Sequence, residues 1–206
     1  SAVLTMREMA LDWRGNADGL FTQPRLRFYA SAETHSSVDK SVRVAGIGQA
    51  NLVKVPTDAA LSMDPSALDA AIRADLAAGC VPAGVIICVG GTSVGAFDNV
   101  GACIAVAKTH GLPTHVDAAW AGSAMICEEY RHLWSGIGGA DSIVMNPHKW
   151  LGAPVGIAAT FVREQVAEAV AAGARALLDP PGFPADAPGS PYLAPQVLVG
   201  VDHGMR

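Results

Sequence analysis

Apolar and polar positions change their spacing repeatedly along the chain, and the changes mark out its elements. Across residues 2–13 the apolar residues Val3, Leu4, Met6, Met9, Ala10 and Trp13 recur at helical intervals, which predicts a helix. Residues 15–23 are polar and Gly-containing, as a loop is. A short strand at 26–30 follows, then a loop that carries His35, a helix over 38–46 and a strand over 51–55. Asp64 or Ser66 is placed to cap an amphipathic helix running to about Ala78, with Pro65 in its first turn.

The second half alternates more regularly. Residues 84–89 form an unbroken apolar run closed by Gly90-Gly91, the pattern of a strand buried on both faces. A helix is predicted from Asp98 to about His110, with strands at 113–117, 141–145 and 156–162. An Ala-rich helix follows Arg163, to about Leu178. Strands alternating with helices predict an α/β fold, a doubly wound and mostly parallel sheet flanked by helices. Beyond residue 178 the chain is rich in Pro, Gly and Ala and has little periodicity. The expected organisation is one domain over 1–178 and a flexible tail over 179–206.

Composition narrows the function classes. Half of the 206 residues are hydrophobic and 16% are charged, which suits a buried sheet. The net charge of −5, with no basic run, argues against a nucleic-acid partner. No apolar segment reaches the length of a membrane-spanning helix, so no membrane association is expected. Cys80, Cys88, Cys103 and Cys127 lack CxxC spacing and read as free thiols of a reducing compartment, with the cytoplasm as the default location. The chain begins with Ser1 in what reads as mid-helix, a first sign of a fragment.

Two stretches carry chemistry: Asn146-Pro147-His148-Lys149-Trp150, and His115-Val116-Asp117-Ala118-Ala119-Trp120. A lysine amine forms a Schiff base with an aldehyde such as that of pyridoxal phosphate, and a carboxylate at a strand end keeps a pyridine nitrogen protonated. Taken alone, Lys149 also suits a surface loop and Asp117 a helix cap. Thr92 follows the buried strand in Gly90-Gly91-Thr92-Ser93, a weak phosphate-loop signal. Ser142 reads equally as a site hydroxyl or a buried one, and Trp120 as pocket or core. Glu128, Glu129, Arg131 and His132 read as the solvated face of a helix. His115, ahead of the aspartate on its strand, is expected to face away from it and to pack.

Together with His35-Ser36-Ser37 and Gly91-Thr92-Ser93-Val94-Gly95-Ala96-Phe97-Asp98, these motifs closely resemble those of the group II pyridoxal-phosphate decarboxylases, most of all the aromatic-L-amino-acid decarboxylases. The resemblance covers residues 2–163 and implies the large cofactor domain of fold-type I enzymes. It further implies that Lys149 carries the cofactor, Asp117 holds the pyridinium, His35 stacks on the ring and can return a proton to the substrate carbon, and Ala119 packs on the other face. Thr92 lies beside the cofactor, and Asn146 and His148 lie at its phosphate end. The implied reaction converts an aromatic L-amino acid to its amine and carbon dioxide, in a homodimer. Glutamate- or histidine-type decarboxylases are the nearer competitors, and a non-catalytic cofactor-binding remnant is the alternative of another class. Family members are more than twice as long. The small-residue phosphate turn, the N-terminal clasp, the mobile loop with its tyrosine and the C-terminal domain have no counterpart here; Tyr192 is not assigned the tyrosine's role. A truncated or partial gene product is therefore expected.

Overall fold

A computed structural model describes residues 2–163, together with 175–176 and 198–199. Helices α1 (Ala2–Ala10) and α2 (Gly15–Asp18) lead into strand β1 (Leu26–Ser31), followed by α3 (Ser36–Val44), β2 (Leu52–Val55), α4 (Pro65–Ala77) and β3 (Val81–Cys88). Then come α5 (Val100–Thr109), β4 (Thr114–Asp117), β5 (Ser142–Met145), α6 (Pro147–Trp150) and β6 (Ala159–Val162). These strands form one sheet in the order β2-β1-β3-β4-β5-β6. Every neighbouring pair is parallel except β5 and β6, so the expected mostly parallel α/β sheet is present, with one antiparallel edge strand.

Local chemistry explains the boundaries. Asp64 caps α4 by accepting from the backbone N–H groups of Ser66 at 2.8 Å and Ala67 at 3.4 Å, and Pro65 opens the first turn. Leu68 and Ile72, one helical turn apart, point from α4 into the core and are fully buried. Helix α5 is capped by Asn99, whose Oδ1 accepts from Ala102 N–H at 3.1 Å. Asp98, expected to start that helix, is buried instead. Its two carboxylate oxygens accept from Met63 N–H and Cys88 N–H, each at 2.7 Å, tying the loop before α4 to the end of β3. Burial outweighs these two bonds and lifts the Asp98 carboxyl to about 6.

Apolar side chains leave the sheet on both faces. On the rear face, Tyr29, Val85, Ile87, Val89 and Val116 pack with Leu68, Ile72, Cys103, Ile104 and Trp134. On the front face, Phe28, Ala30 and Ile86 pack with Val3 and Met6 of α1 and Val38 and Val42 of α3. Gly84 permits the close approach of α1, since a Cβ there would lie 2.6 Å from Met6 Sδ.

Some expectations need correction. Residues 15–18 form a helical turn rather than loop, and the helix expected around 128–132 is a 3-10 helix over 128–134. Arg175–Ala176, expected within a helix, pairs instead with Leu198–Val199 as a two-residue antiparallel ladder. The rest of that helix and tail lies outside the described residues. Among the described residues, no helix is long and apolar enough to cross a membrane.

Candidate functional site

Parallel strands β3, β4 and β5 end at one edge of the sheet, the place where open α/β folds carry their sites. A cavity of about 300 Å3 lies there. Its floor follows from strand register. Ile86 pairs with His115 and His115 with Ser142; one step along, Cys88 pairs with Asp117, Asp117 with Val144 and Val144 with Thr160. All of these except Ser142 line the cavity, and Ser142 Oγ lies 2.8 Å from His115 Nδ1. The expectation that His115 faces away from Asp117 is thus overturned: residues two apart on a strand share a face. Burial of His115 outweighs the attraction of Asp117 and lowers its pKa to about 4, so the imidazole is neutral near pH 7. Cys88 is pushed up to about 12, first by burial and then by Asp98 and Asp117, so its thiol stays protonated and is a poor nucleophile.

The walls come from the turns that follow the strands. Asp117 Oδ1 accepts from Ala119 N–H at 3.1 Å, which fixes the carboxylate at the end of β4. Gly90, at φ +80°, lets the Trp120-Ala121 turn cross the end of β3; a Cβ would sit 2.4 Å from that of Ala121. Asn146 N–H donates to Ala119 O at 3.2 Å and binds the two motif-bearing turns together. Pro147 then opens α6, and Lys149 N–H donates to Asn146 O at 3.0 Å. His35 caps α3 from the opposite wall. Trp120 lines the cavity too, meeting Trp150 edge to face at a centroid separation of 5.0 Å, so it is a pocket residue rather than core.

Of the seven residues singled out by sequence, Lys149, Asp117, His35, Ala119, Thr92 and Asn146 all line this one cavity. His148 does not; its Nδ1 donates to Ile157 O at 2.7 Å and braces the loop after α6. Ile86, Cys88, Val144 and Thr160 were missed, since only strand register identifies them, whereas counting by two from Asp117 finds His115.

The donor set suits pyridoxal phosphate. It offers an amine for an aldehyde and a carboxylate for a pyridinium. A small side chain and an imidazole stand ready for the ring faces, with hydroxyl and amide groups around them. Asn146 Oδ1 is buried with no hydrogen-bond partner among the described residues, a polar atom that a ligand with a donor would satisfy.

Comparison with known proteins agrees. The model of the pyridoxal-dependent decarboxylase conserved domain matches residues 6–172. Tryptophan decarboxylase 1 of Oryza sativa subsp. japonica is 43% identical over 164 residues, which is 79% of this chain and 32% of that protein. Aromatic-L-amino-acid decarboxylase of Bos taurus is 42% identical over 141 residues, 68% of this chain and 28% of that protein. Among solved structures, Oryza sativa TDC with PLP superposes with a TM-score of 0.74 at 42% identity, covering 80% of this chain and 35% of that one. Mouse CSAD superposes with a TM-score of 0.75 at 35% identity, covering 78% of this chain and 34% of that one. The chain spans about a third of the length of the curated relatives it matches. With a match to the family model running from the first helix past the last strand of the main sheet, the chain belongs to the pyridoxal-dependent decarboxylases.

Proposed function

We propose that this chain carries the cofactor seat of an aromatic-L-amino-acid decarboxylase, acting within a homodimer. The observation that carries the reading is the convergence of Lys149 and Asp117 on one cavity at the carboxyl ends of the parallel strands. Tryptophan, tyrosine and aromatic-L-amino-acid decarboxylases at 40–43% identity support the aromatic substrate class.

When bound, pyridoxal phosphate supplies the electron sink that accepts the pair left at Cα as carbon dioxide departs. Lys149 Nζ provides the amine for covalent attachment of its aldehyde. The Asp117 carboxylate, oriented by Ala119 N–H, would keep the pyridine nitrogen protonated. His115 stays neutral beside it and therefore does not compete with the ring for the charge of Asp117. His35 would cover a face of the bound ring, Ala119 would leave room at the other, and Thr92 and Asn146 would offer hydrogen bonds.

A visible absorbance titration of the chain with pyridoxal phosphate, repeated on Lys149→Ala, tests the seat. A band that requires Lys149 is expected. Its absence from a folded chain would overturn the seat as an autonomous binder. Amine release assayed with tryptophan, tyrosine, phenylalanine, histidine and glutamate then tests the substrate class, and turnover confined to the last two would reject the aromatic reading.

A further inference from the structure

His35 performs two tasks that constrain each other. As the residue before α3 it lies in extended conformation, φ −64° and ψ 144°, and its ring accepts a hydrogen bond from the helix. Ser37 N–H donates to His35 Nδ1 at 3.2 Å, and Ser37 Oγ lies 2.8 Å from the same nitrogen. A backbone N–H can only donate, so Nδ1 must carry its lone pair and not a proton. Ser37 Oγ is then the donor in its own contact. In a neutral imidazole the single proton consequently sits on Nε2. Ser41 supports the arrangement one turn on, donating from Oγ to Ser37 O at 2.8 Å. His35, Ser37 and Ser41 all line the cavity that holds Lys149 and Asp117.

We infer that Ser37 is a positioning residue that locks His35 in the Nε2–H tautomer, so that His35 meets a cavity ligand as a hydrogen-bond donor and not as a base. The ring's lone pair is engaged in holding the start of α3. A base at this wall would be able to remove the α-proton of a bound amino acid; a ring whose lone pair is turned to the helix leaves that proton in place. This consequence rests on the proposed decarboxylase reading, whereas the tautomer itself rests only on the chain. The assignment also separates two roles that imidazole can play at such a wall, and it selects the donor.

Long-range 1H–15N correlation spectra of 15N-histidine-labelled chain, recorded about one and a half units above the usual histidine pKa, read the tautomer directly. Loss of one set of ring signals in His35→Gln assigns the resonances. An unprotonated Nδ1 and a protonated Nε2 are expected. Ser37→Ala removes one of the two donors and should shift the tautomer ratio toward Nδ1–H by about fivefold, the size of one hydrogen bond. Ser37→Thr, which keeps the hydroxyl, should restore it. A protonated Nδ1 in the parent chain would overturn the inference, as would a ratio unmoved in a Ser37→Ala chain whose circular dichroism shows it folded. Failure of the parent to give a Lys149-dependent band with pyridoxal phosphate would instead strike the cofactor reading and leave the tautomer standing.

Discussion

Behind the sheet, Val85, Ile87 and Val116 meet Leu68 and Ile72 of α4 and Cys103 and Ile104 of α5, all of them buried. In front, the half of the sheet built from β1 and β3 is apolar in the same way under α1 and α3. The other half turns His115 and Asp117 of β4 and Thr160 of β6 toward a cavity. One strand, β4, serves both sides, sending Val116 back and His115 and Asp117 forward. The contrast teaches that stability and chemistry are divided by the two-residue period of the strand. Rear-face changes should act on folding, and front-face changes on ligand binding.

The sharpest way to break that division is to exchange the effects. Leu68→Ala or Ile72→Ala should cost about 2–5 kcal/mol of folding stability in denaturant titrations, from lost burial and the cavity left behind. If either change left stability intact, the rear face would not be the stabilising face of the sheet. Asp117→Ala should do the opposite, lowering pyridoxal-phosphate affinity by more than about tenfold while shifting stability by less than about 1 kcal/mol.

Acid sharpens the comparison further. His115 is held at about 4 in the fold against an unfolded value near 6.5, so the unfolded chain binds the extra proton between those values. Its contribution to stability is therefore lost as pH falls from about 6.5 to 4. Asp98 is held at about 6 against about 3.8, so there the folded chain binds the extra proton, and stability is gained as pH falls from about 6 to 4. The two slopes oppose each other. His115→Asn should lessen the loss of stability on acidification, and Asp98→Asn should deepen it, each by up to about 3 kcal/mol across the window. Parallel slopes in parent and variants, measured by thermal melts from pH 4 to 7, would contradict the assignment. The smallest effect is expected at the cavity mouth: Trp150→Leu removes the edge-to-face partner of Trp120 and should cost about 0.5–1.5 kcal/mol at most, less given that both rings are half exposed.

Much of this was legible in the sequence, for reasons that can be named. The strands showed because β3 is apolar along its whole length, and α4 because Asp64, Pro65 and the Leu68/Ile72 spacing all agree. Six cavity residues were readable because they sit in two contiguous motifs and two flanking loops. Direction was harder to read than identity. His148 and Lys149 are adjacent in a helical turn, where neighbouring side chains diverge by about 100°. One reaching the cavity therefore turns the other away. Thr160 could not be found without knowing that β6 runs antiparallel to β5. Asp98 reads as the start of a helix because helical spacing follows it; its burial between β3 and the loop before α4 is a tertiary fact.

The bond from Asn146 N–H to Ala119 O joins the turn bearing Lys149 to the turn bearing Asp117, on strands that are hydrogen-bonded neighbours. The root of the lysine turn and the carboxyl end of β4 are thereby held at the spacing of two adjacent strands, about 4.8 Å, and in their register. A slip of β5 by two residues would keep every side chain on its face yet carry the lysine turn about 7 Å along the sheet. A ligand gripped at both ends would no longer bridge them. Any molecule that binds Lys149 and Asp117 at once is therefore a ruler laid across β4 and β5, and its binding reports whether the sheet has assembled in the one alignment that counts.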